Sequence, residues 1–247
     1  MNATDKKKSL RKIVTYSFIG ITVLILGFLA FAAYMLFSKP PGPRQPLAQG
    51  LLSLESTKGK SLLKESKYKA DYKALQTSFT TQKRRAFCGV ASSVMTIKAL
   101  NPKKQVDQSS IFTEKAREVF HPWLVSLRGM TLQELARLLR SHSLQAKGYH
   151  ADTLTLKSFR ALLRKNLKKT GDVLLVNYDR KILKQKGSGH ISPLGAYHAA
   201  SDQVLILDVS SYKYPPVWLK TALLYKAIHT KDSGSQKFRG VVEVAKQ

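Results

Sequence analysis

The strongest constraint on how this chain folds is a run of 25 residues without a charged side chain, from Ile13 to Phe37. As a helix, at about 1.5 Å per residue, it would exceed the roughly 30 Å hydrocarbon core of a bilayer. Lys6, Lys7, Lys8, Arg11 and Lys12 precede it against the single acid Asp5. Lys39 and the breaker cluster Pro40-Pro41-Gly42-Pro43 end it. The excess of cations on the N-terminal side predicts a cytoplasmic N-terminus, with the larger C-terminal part across the membrane. A cleaved signal peptide, with Ala30-Phe31-Ala32 as its processing site, is the competing reading. The apolar run is longer than the usual signal core of about 7–15 residues, which favours an uncleaved anchor.

The chain therefore divides into a basic cytoplasmic tail (1–12), a transmembrane anchor (13–37), a linker rich in Pro, Gly, Ser and Gln (38–60), and one globular domain (61–247). That last length suits a single domain. The one cysteine rules out an intramolecular disulfide, so the domain must stand on packing alone. A net charge of +27, from 42 basic and 15 acidic residues, points to anionic partners. The basic residues are dispersed, with only short runs such as Lys168-Lys169, and no nucleic-acid-binding motif accompanies them. Nucleic acid is not expected as a partner; a lipid surface is.

Within the domain, Val90, Val94, Ile97 and Leu100 have helical spacing and stop before Asn101-Pro102. Cys88 then stands at a helix N-terminus, where the helix dipole and unpaired N–H groups lower a thiol pKa. From this segment alone a buried, inert cysteine is an equal alternative. Thr131 and Glu134 form a capping-box pattern for a helix burying Leu132, Leu135, Leu138 and Leu139. A third helix is expected from Leu156 to about Lys168, with Phe159, Leu162, Leu163 and Leu167 inward and Gly171 as its stop. The aliphatic runs 173–178 and 204–209 read as central strands. Residues Ser61 to Leu75 fit either a short helix or an irregular approach to the domain.

His190 lies between those strands, inside Gly187-Ser188-Gly189-His190-Ile191-Ser192-Pro193, and Asp208 ends the second strand. Antiparallel pairing through a turn near 199–203 would set His190 beside Asp208, so that the carboxylate holds one imidazole nitrogen and the other faces a thiol. His198 is the rival base. The scattered His121, His142, His150 and His229 show no metal-ligand spacing, and no metal site is expected. There is no phosphate-binding glycine loop and no dinucleotide fingerprint.

The stretch Gln82–Ser93, the block Gly187–His198, and Leu205-Ile206-Leu207-Asp208-Val209 continued by Tyr212-Lys213-Tyr214-Pro215-Pro216-Val217-Trp218 together resemble phytochelatin synthase. Arg128-Gly129-Met130-Thr131-Leu132 and Asn177-Tyr178-Asp179-Arg180 match the same pattern, so the resemblance covers about residues 65–245. It implies an α+β, papain-like cysteine peptidase fold, with Cys88 as nucleophile, His190 as base and Asp208 as orienting acid. Gln82 matches the oxyanion-hole position, and Arg180 and Arg239 fall near positions that bind substrate carboxylates. The implied activity is that of a glutathione gamma-glutamylcysteinyltransferase. Cys88 releases glycine from glutathione and passes γ-glutamylcysteine to a second glutathione or to water. No tightly bound cofactor is implied; cadmium or zinc is expected as an activator or as a glutathione thiolate complex. A homodimer is left open.

Two departures bear on this reading. The chain ends at Gln247 without the cysteine-rich extension of the plant enzymes, as in the short bacterial relatives, in which hydrolysis often dominates; this suggests a bacterial inner-membrane protein with a periplasmic domain. Val90 also replaces the proline common after Cys-Gly. The alternatives are another papain-like peptidase, such as the leader peptidases of bacteriocin exporters, and a non-catalytic membrane-tethered binding module. Those leader peptidases typically carry Asp-Pro where this chain has Asp208-Val209.

Overall fold

The computed structural model describes residues 3–37 and 43–246, with side chains at 11–34 and 43–246. The first residues of the basic tail, the breaker residues Pro40-Pro41-Gly42 and the terminal Gln247 lie outside the described residues. Two units are present, Met1–Ser38 and Lys39–Gln247. The first is one helix, α1 (Ala3–Phe37), which continues through the basic segment expected to precede it. Its stretch Arg11–Tyr34 is long and apolar enough to cross a membrane, a property shared with signal sequences.

The second unit runs β1 (Leu52–Ser53), α2 (Thr57–Glu65), α3 (Tyr72–Thr77), α4 (Cys88–Leu100), α5 (Glu114–Val119), α6 (Pro122–Arg128), α7 (Leu132–Ser141), β2 (Leu144–His150), α8 (Leu156–Asn166), β3 (Asp172–Asp179), β4 (Gly189–His198), β5 (Gln203–Ile206), β6 (Val217–Lys220), α9 (Thr221–Ile228) and β7 (Gly240–Lys246). Among the described residues the strands form one sheet in the order β1-β6-β5-β4-β3-β7-β2. Every pairing is antiparallel.

Alternation along β3 explains why its sequence reads as continuously apolar. Val173 and Leu175 join the core on the face packed by α4 and α7, whereas Leu174, Val176 and Tyr178 join a second core with Phe159 and Leu163 of α8 and Leu224 of α9. A strand covered on both faces has no polar face to show. On β4 the register shifts between Leu194 and Ala196, so Ile191 and Ala196 share one core while Leu194 and Tyr197 share the other. An extra residue in one strand resets the parity in this way.

The helical expectations hold closely. Thr131 and Glu134 form the reciprocal capping box of α7, an arrangement worth about 1 kcal/mol. Thr155 caps α8, and Leu162 is only half-buried where full burial was expected. The Ser61–Leu75 stretch holds the end of α2 and the start of α3.

The described part of the linker, residues 43–60, departs from its expected role as a tether. Here β1 pairs with β6, Arg44 Nε donates to the Ser211 carbonyl at 2.9 Å, and the Gln45 N–H donates to the Lys213 carbonyl at 2.8 Å. Leu47 and Leu51 pack on the second core. Composition marked this stretch as irregular backbone; its tertiary partners make it part of the body.

Candidate active site

Cys88 is the first residue of α4, and α4 is buried along nearly its whole length. Ser92 fixes the helix to β4 by donating to the Ile191 carbonyl at 3.1 Å. That bond holds the first turns of α4 against the strand that carries His190, and the backbone N–H groups of Ile191 and Gly89 favour the thiolate. Burial nevertheless raises the thiol pKa, outweighing those N–H groups and the Arg180 cation, which lower it. The depressed pKa expected from the helix N-terminus is therefore reversed by desolvation. Cys88 is therefore held as a neutral thiol.

The β4–β5 hairpin brings His190 and Asp208 together across 18 residues of sequence. Pairing runs from His198 with Gln203 to Leu194 with Ile206, and the Leu207 N–H donates to the Pro193 carbonyl at 2.9 Å beyond the strand end. His190 Nε2 then lies 3.0 Å from Asp208 Oδ1, so Nδ1 is the ring nitrogen that the acid leaves unengaged. Tyr178, opposite His190 in the β3–β4 register, packs edge-on against the imidazole with ring centres 5.7 Å apart.

Arg180 completes this wing. Its Nη2 donates to both oxygens of Asp208 at 2.8 and 2.7 Å, and Nη1 donates to Gln185 Oε1 at 2.6 Å. Burial alone would raise the Asp208 pKa, but Arg180 and His190 hold it well below the usual carboxylate range. For His190, burial and then Arg180 outweigh Asp208 and lower the pKa to about 4. The imidazole is therefore neutral at physiological pH and available as a base. Arg180 was expected near a substrate carboxylate; it is instead buried, with Asp208 as its carboxylate partner.

Arg239 is also close to the site and also paired within the protein. Its Nη1 bonds Asn177 Oδ1 and Asp232 Oδ2, each at 2.9 Å. The guanidinium lies against Gly189, where a Cβ would fall 2.5 Å from Nη1, so any side chain before His190 would push Arg239 aside. Gln82 is buried beside the loop leading into Cys88. Its side-chain NH2 donates to the carbonyls of Arg84 and Arg85, both at 2.8 Å, while its oxygen accepts from Ser210 Oγ at 2.7 Å. An oxyanion on the Cys88 adduct would have to share or displace one of those two N–H bonds.

Residues not singled out from sequence complete the surroundings. Burial, followed by the cation Arg180, lowers the pKa of Lys213, with Lys186 and Arg85 adding to the same positive field. The Tyr214 hydroxyl accepts from the Lys186 N–H at 2.8 Å, and the Arg180 guanidinium lies over the Tyr214 ring. Their sequence signal was position, five and six residues after Asp208 in the Lys-Tyr-Pro-Pro block. His198, the rival base, sits at the far end of β4, about 26 Å from His190 by strand rise, with Ser201 and Glu65 as partners. The structure assembles Cys88, His190, Asp208 and Gln82 in one region and leaves His198 out.

A helix that presents a cysteine at its N-terminus, packed on an antiparallel sheet that presents a histidine and an acid, defines an α+β protein that gathers Cys88, His190 and Asp208 in one region. The phytochelatin synthase family model matches residues 43–241, and the chain belongs to that family. It is 34% identical over 178 residues to glutathione gamma-glutamylcysteinyltransferase 1 of Triticum aestivum, covering 68% of this chain and 35% of the relative. With glutathione gamma-glutamylcysteinyltransferase 2 of Arabidopsis thaliana the identity is 30%, over 82% of this chain and 46% of the relative. The chain thus spans less than half the length of these relatives. Among solved structures, the peptidase domain of Streptococcus ComA aligns with 68% of this chain and 97% of that domain, at 15% identity and a TM-score of 0.44.

Proposed function

We propose that this chain is a membrane-anchored acyltransferase acting on glutathione, with Cys88 as nucleophile, His190 as base and Asp208 as orienting acid. The observation that carries the reading is the 3.0 Å His190–Asp208 pair beside the Cys88 helix N-terminus, in a member of the phytochelatin synthase family. The field of Lys213, Lys186 and Arg85 suits an anionic tripeptide.

Because the thiol pKa is raised and that of the imidazole lowered, the ground state is neutral on both groups rather than an ion pair. Attack on the Cys–Gly carbonyl of glutathione then transfers the thiol proton to His190 Nδ1 as the C–S bond forms. The resulting imidazolium is stabilised through Nε2 by Asp208, which Arg180 keeps ionised. One Gln82 N–H and the Cys88 backbone N–H meet the oxyanion. His190 returns the proton to the departing glycine nitrogen, leaving a γ-glutamylcysteinyl thioester. The amine of a second glutathione, or water, gives its proton to His190 as it attacks, and Cys88 is released as the thiol. Cadmium or zinc would enter as a glutathione thiolate complex. The apolar stretch of α1 would serve as the bilayer anchor, with the basic residues cytoplasmic and the catalytic unit periplasmic at a bacterial inner membrane.

Full-length protein in detergent, incubated with glutathione with and without cadmium or zinc, tests the reading. The expected products are free glycine with γ-glutamylcysteine or its glutathione adduct, and their loss in Cys88→Ala. Glycine release that persists in Cys88→Ala would overturn the mechanism. Cleavage of other peptides without glutathione turnover would make the chain a peptidase, and no turnover of either a binding module.

A further inference from the structure

Ser210 stands on the loop between Asp208 and Lys213 and touches both wings of the site. Its N–H donates to Asp208 Oδ1 at 2.8 Å, the same oxygen that faces His190. Its Oγ donates to Gln82 Oε1 at 2.7 Å, and the Gln82 N–H donates to the neighbouring Val209 carbonyl at 2.9 Å. Ser210 is buried, so none of these bonds is exchanged for water at the surface.

A primary amide is almost symmetric in shape, and only its partners decide which end faces which way. In the free protein the acceptor-only carbonyls of Arg84 and Arg85 hold the NH2 end. When one N–H turns to a developing oxyanion, that anchor is weakened, and the bond from Ser210 to Oε1 is the side-chain restraint that remains. A donor on the amide oxygen also polarises the amide and strengthens its N–H groups as donors.

We propose that Ser210 is a positioning residue that aims Gln82 at the oxyanion and ties that aim to the carboxylate of the triad. The assignment rests on the reading of Gln82 as oxyanion donor. Ser210→Ala is a clean probe because it keeps the backbone N–H to Asp208 and removes only the hydroxyl.

The test is a double-mutant cycle on glycine release by the full-length protein. Gln82→Ala is expected to lower kcat by about 10²–10³-fold, as for loss of one oxyanion donor. Ser210→Ala is expected to lower kcat about tenfold with KM unchanged, and Ser210→Thr, which restores the hydroxyl, to recover most of it. In the Gln82→Ala background, Ser210→Ala should change kcat by less than about twofold. Equal losses from Ser210→Ala in both backgrounds would show a structural role and overturn the proposal. So would full activity in Ser210→Ala while Gln82→Ala is impaired, an outcome that leaves the oxyanion reading standing. An unimpaired Gln82→Ala would remove the oxyanion reading itself, and the proposal with it. Should Ser210→Ala unfold, Ser210→Cys, close to serine in shape but a much weaker donor, carries the same cycle.

Discussion

The two ends of β4 carry two buried histidines, each beside a carboxylate, and only one belongs to the assembled site. His190 has Asp208 at 3.0 Å, and Asp208 is fully buried; His198 has Glu65 at 3.5 Å, and the Glu65 side chain is 56% exposed. Both rings are mostly hidden, with 5% of His190 and 11% of His198 exposed, so burial of the histidine does little to distinguish them. What differs is the acid. Asp208 is removed from water and held ionised by Arg180, so its field acts on the imidazole undiluted by solvent, whereas water screens Glu65.

Replacing each ring in turn is the most drastic way to break this comparison. His190→Ala is expected to lower glycine release by about 10⁴-fold or more, as when the base of a nucleophile–base unit is removed. His198→Ala should leave kcat within about threefold, since it lies about 26 Å along the strand. Comparable losses from both would mean that β4 acts through its fold and not through a base at one end.

The acid can be challenged next by removing its brace. Arg180→Gln leaves Asp208 buried beside an imidazole that is mostly neutral, and breaking such a pair costs about 3–5 kcal/mol. Denaturant unfolding should show this as a lowered midpoint with unchanged slope. The sign of the accompanying titration shift is fixed by charge. Loss of a nearby cation favours the imidazolium, so the His190 pKa rises from about 4 and the acid limb of kcat/KM moves to higher pH. An acid limb that stays in place would show that Arg180 does not act on His190.

A smaller effect is expected from pH alone. His190 has a folded pKa lowered from the usual 6.5 to about 4. Between those values the unfolded chain binds a proton that the folded protein does not. Stability is then fully present above pH 6.5 and lost as pH falls toward 4, by on the order of 2–3 kcal/mol. Asp208 acts in the same direction at lower pH, because its folded pKa is depressed. Denaturant midpoints across this range should flatten in His190→Gln. An unchanged slope in that variant would place the pH dependence on other groups.

The parts of this site that were legible in the sequence are those set by local periodicity and by one hairpin. The apolar spacing after Cys88 gave α4, the Thr131–Glu134 pattern gave the cap of α7, and two apolar runs with a turn between them gave the pairing of His190 with Asp208. What could not be read depends on contacts between distant segments. Arg180 reaches Asp208 only because the turn after β3 folds back, with the Arg180 N–H on the Ser188 carbonyl. The Ser210–Gln82 bond spans 128 residues of sequence. The same reason explains the reversed thiol shift: a helix N-terminus is a local feature, whereas the burial that overrides it is supplied by the whole core. Residues 43–60 read as a tether because their composition is loop-like, and nothing in that composition names Ser211 or Lys213 as partners.

The mildest perturbation sharpens the comparison from the other end of β4. Glu65→Gln removes the charge that faces His198 while keeping the shape of the side chain. The carboxylate is more than half exposed, and at 3.5 Å the pair gains little over hydration, so the expected stability change is at most about 1 kcal/mol. His198 keeps Ser201, whose Oγ lies 2.7 Å from Nδ1, so its ring need not move. Glycine release should be unaffected. Asp208→Asn also removes one negative charge facing a histidine on β4, but there it leaves Arg180 buried without a counter-ion. A midpoint shift for Glu65→Gln as large as that for Asp208→Asn would mean that acid burial is not what separates the two ends of the strand.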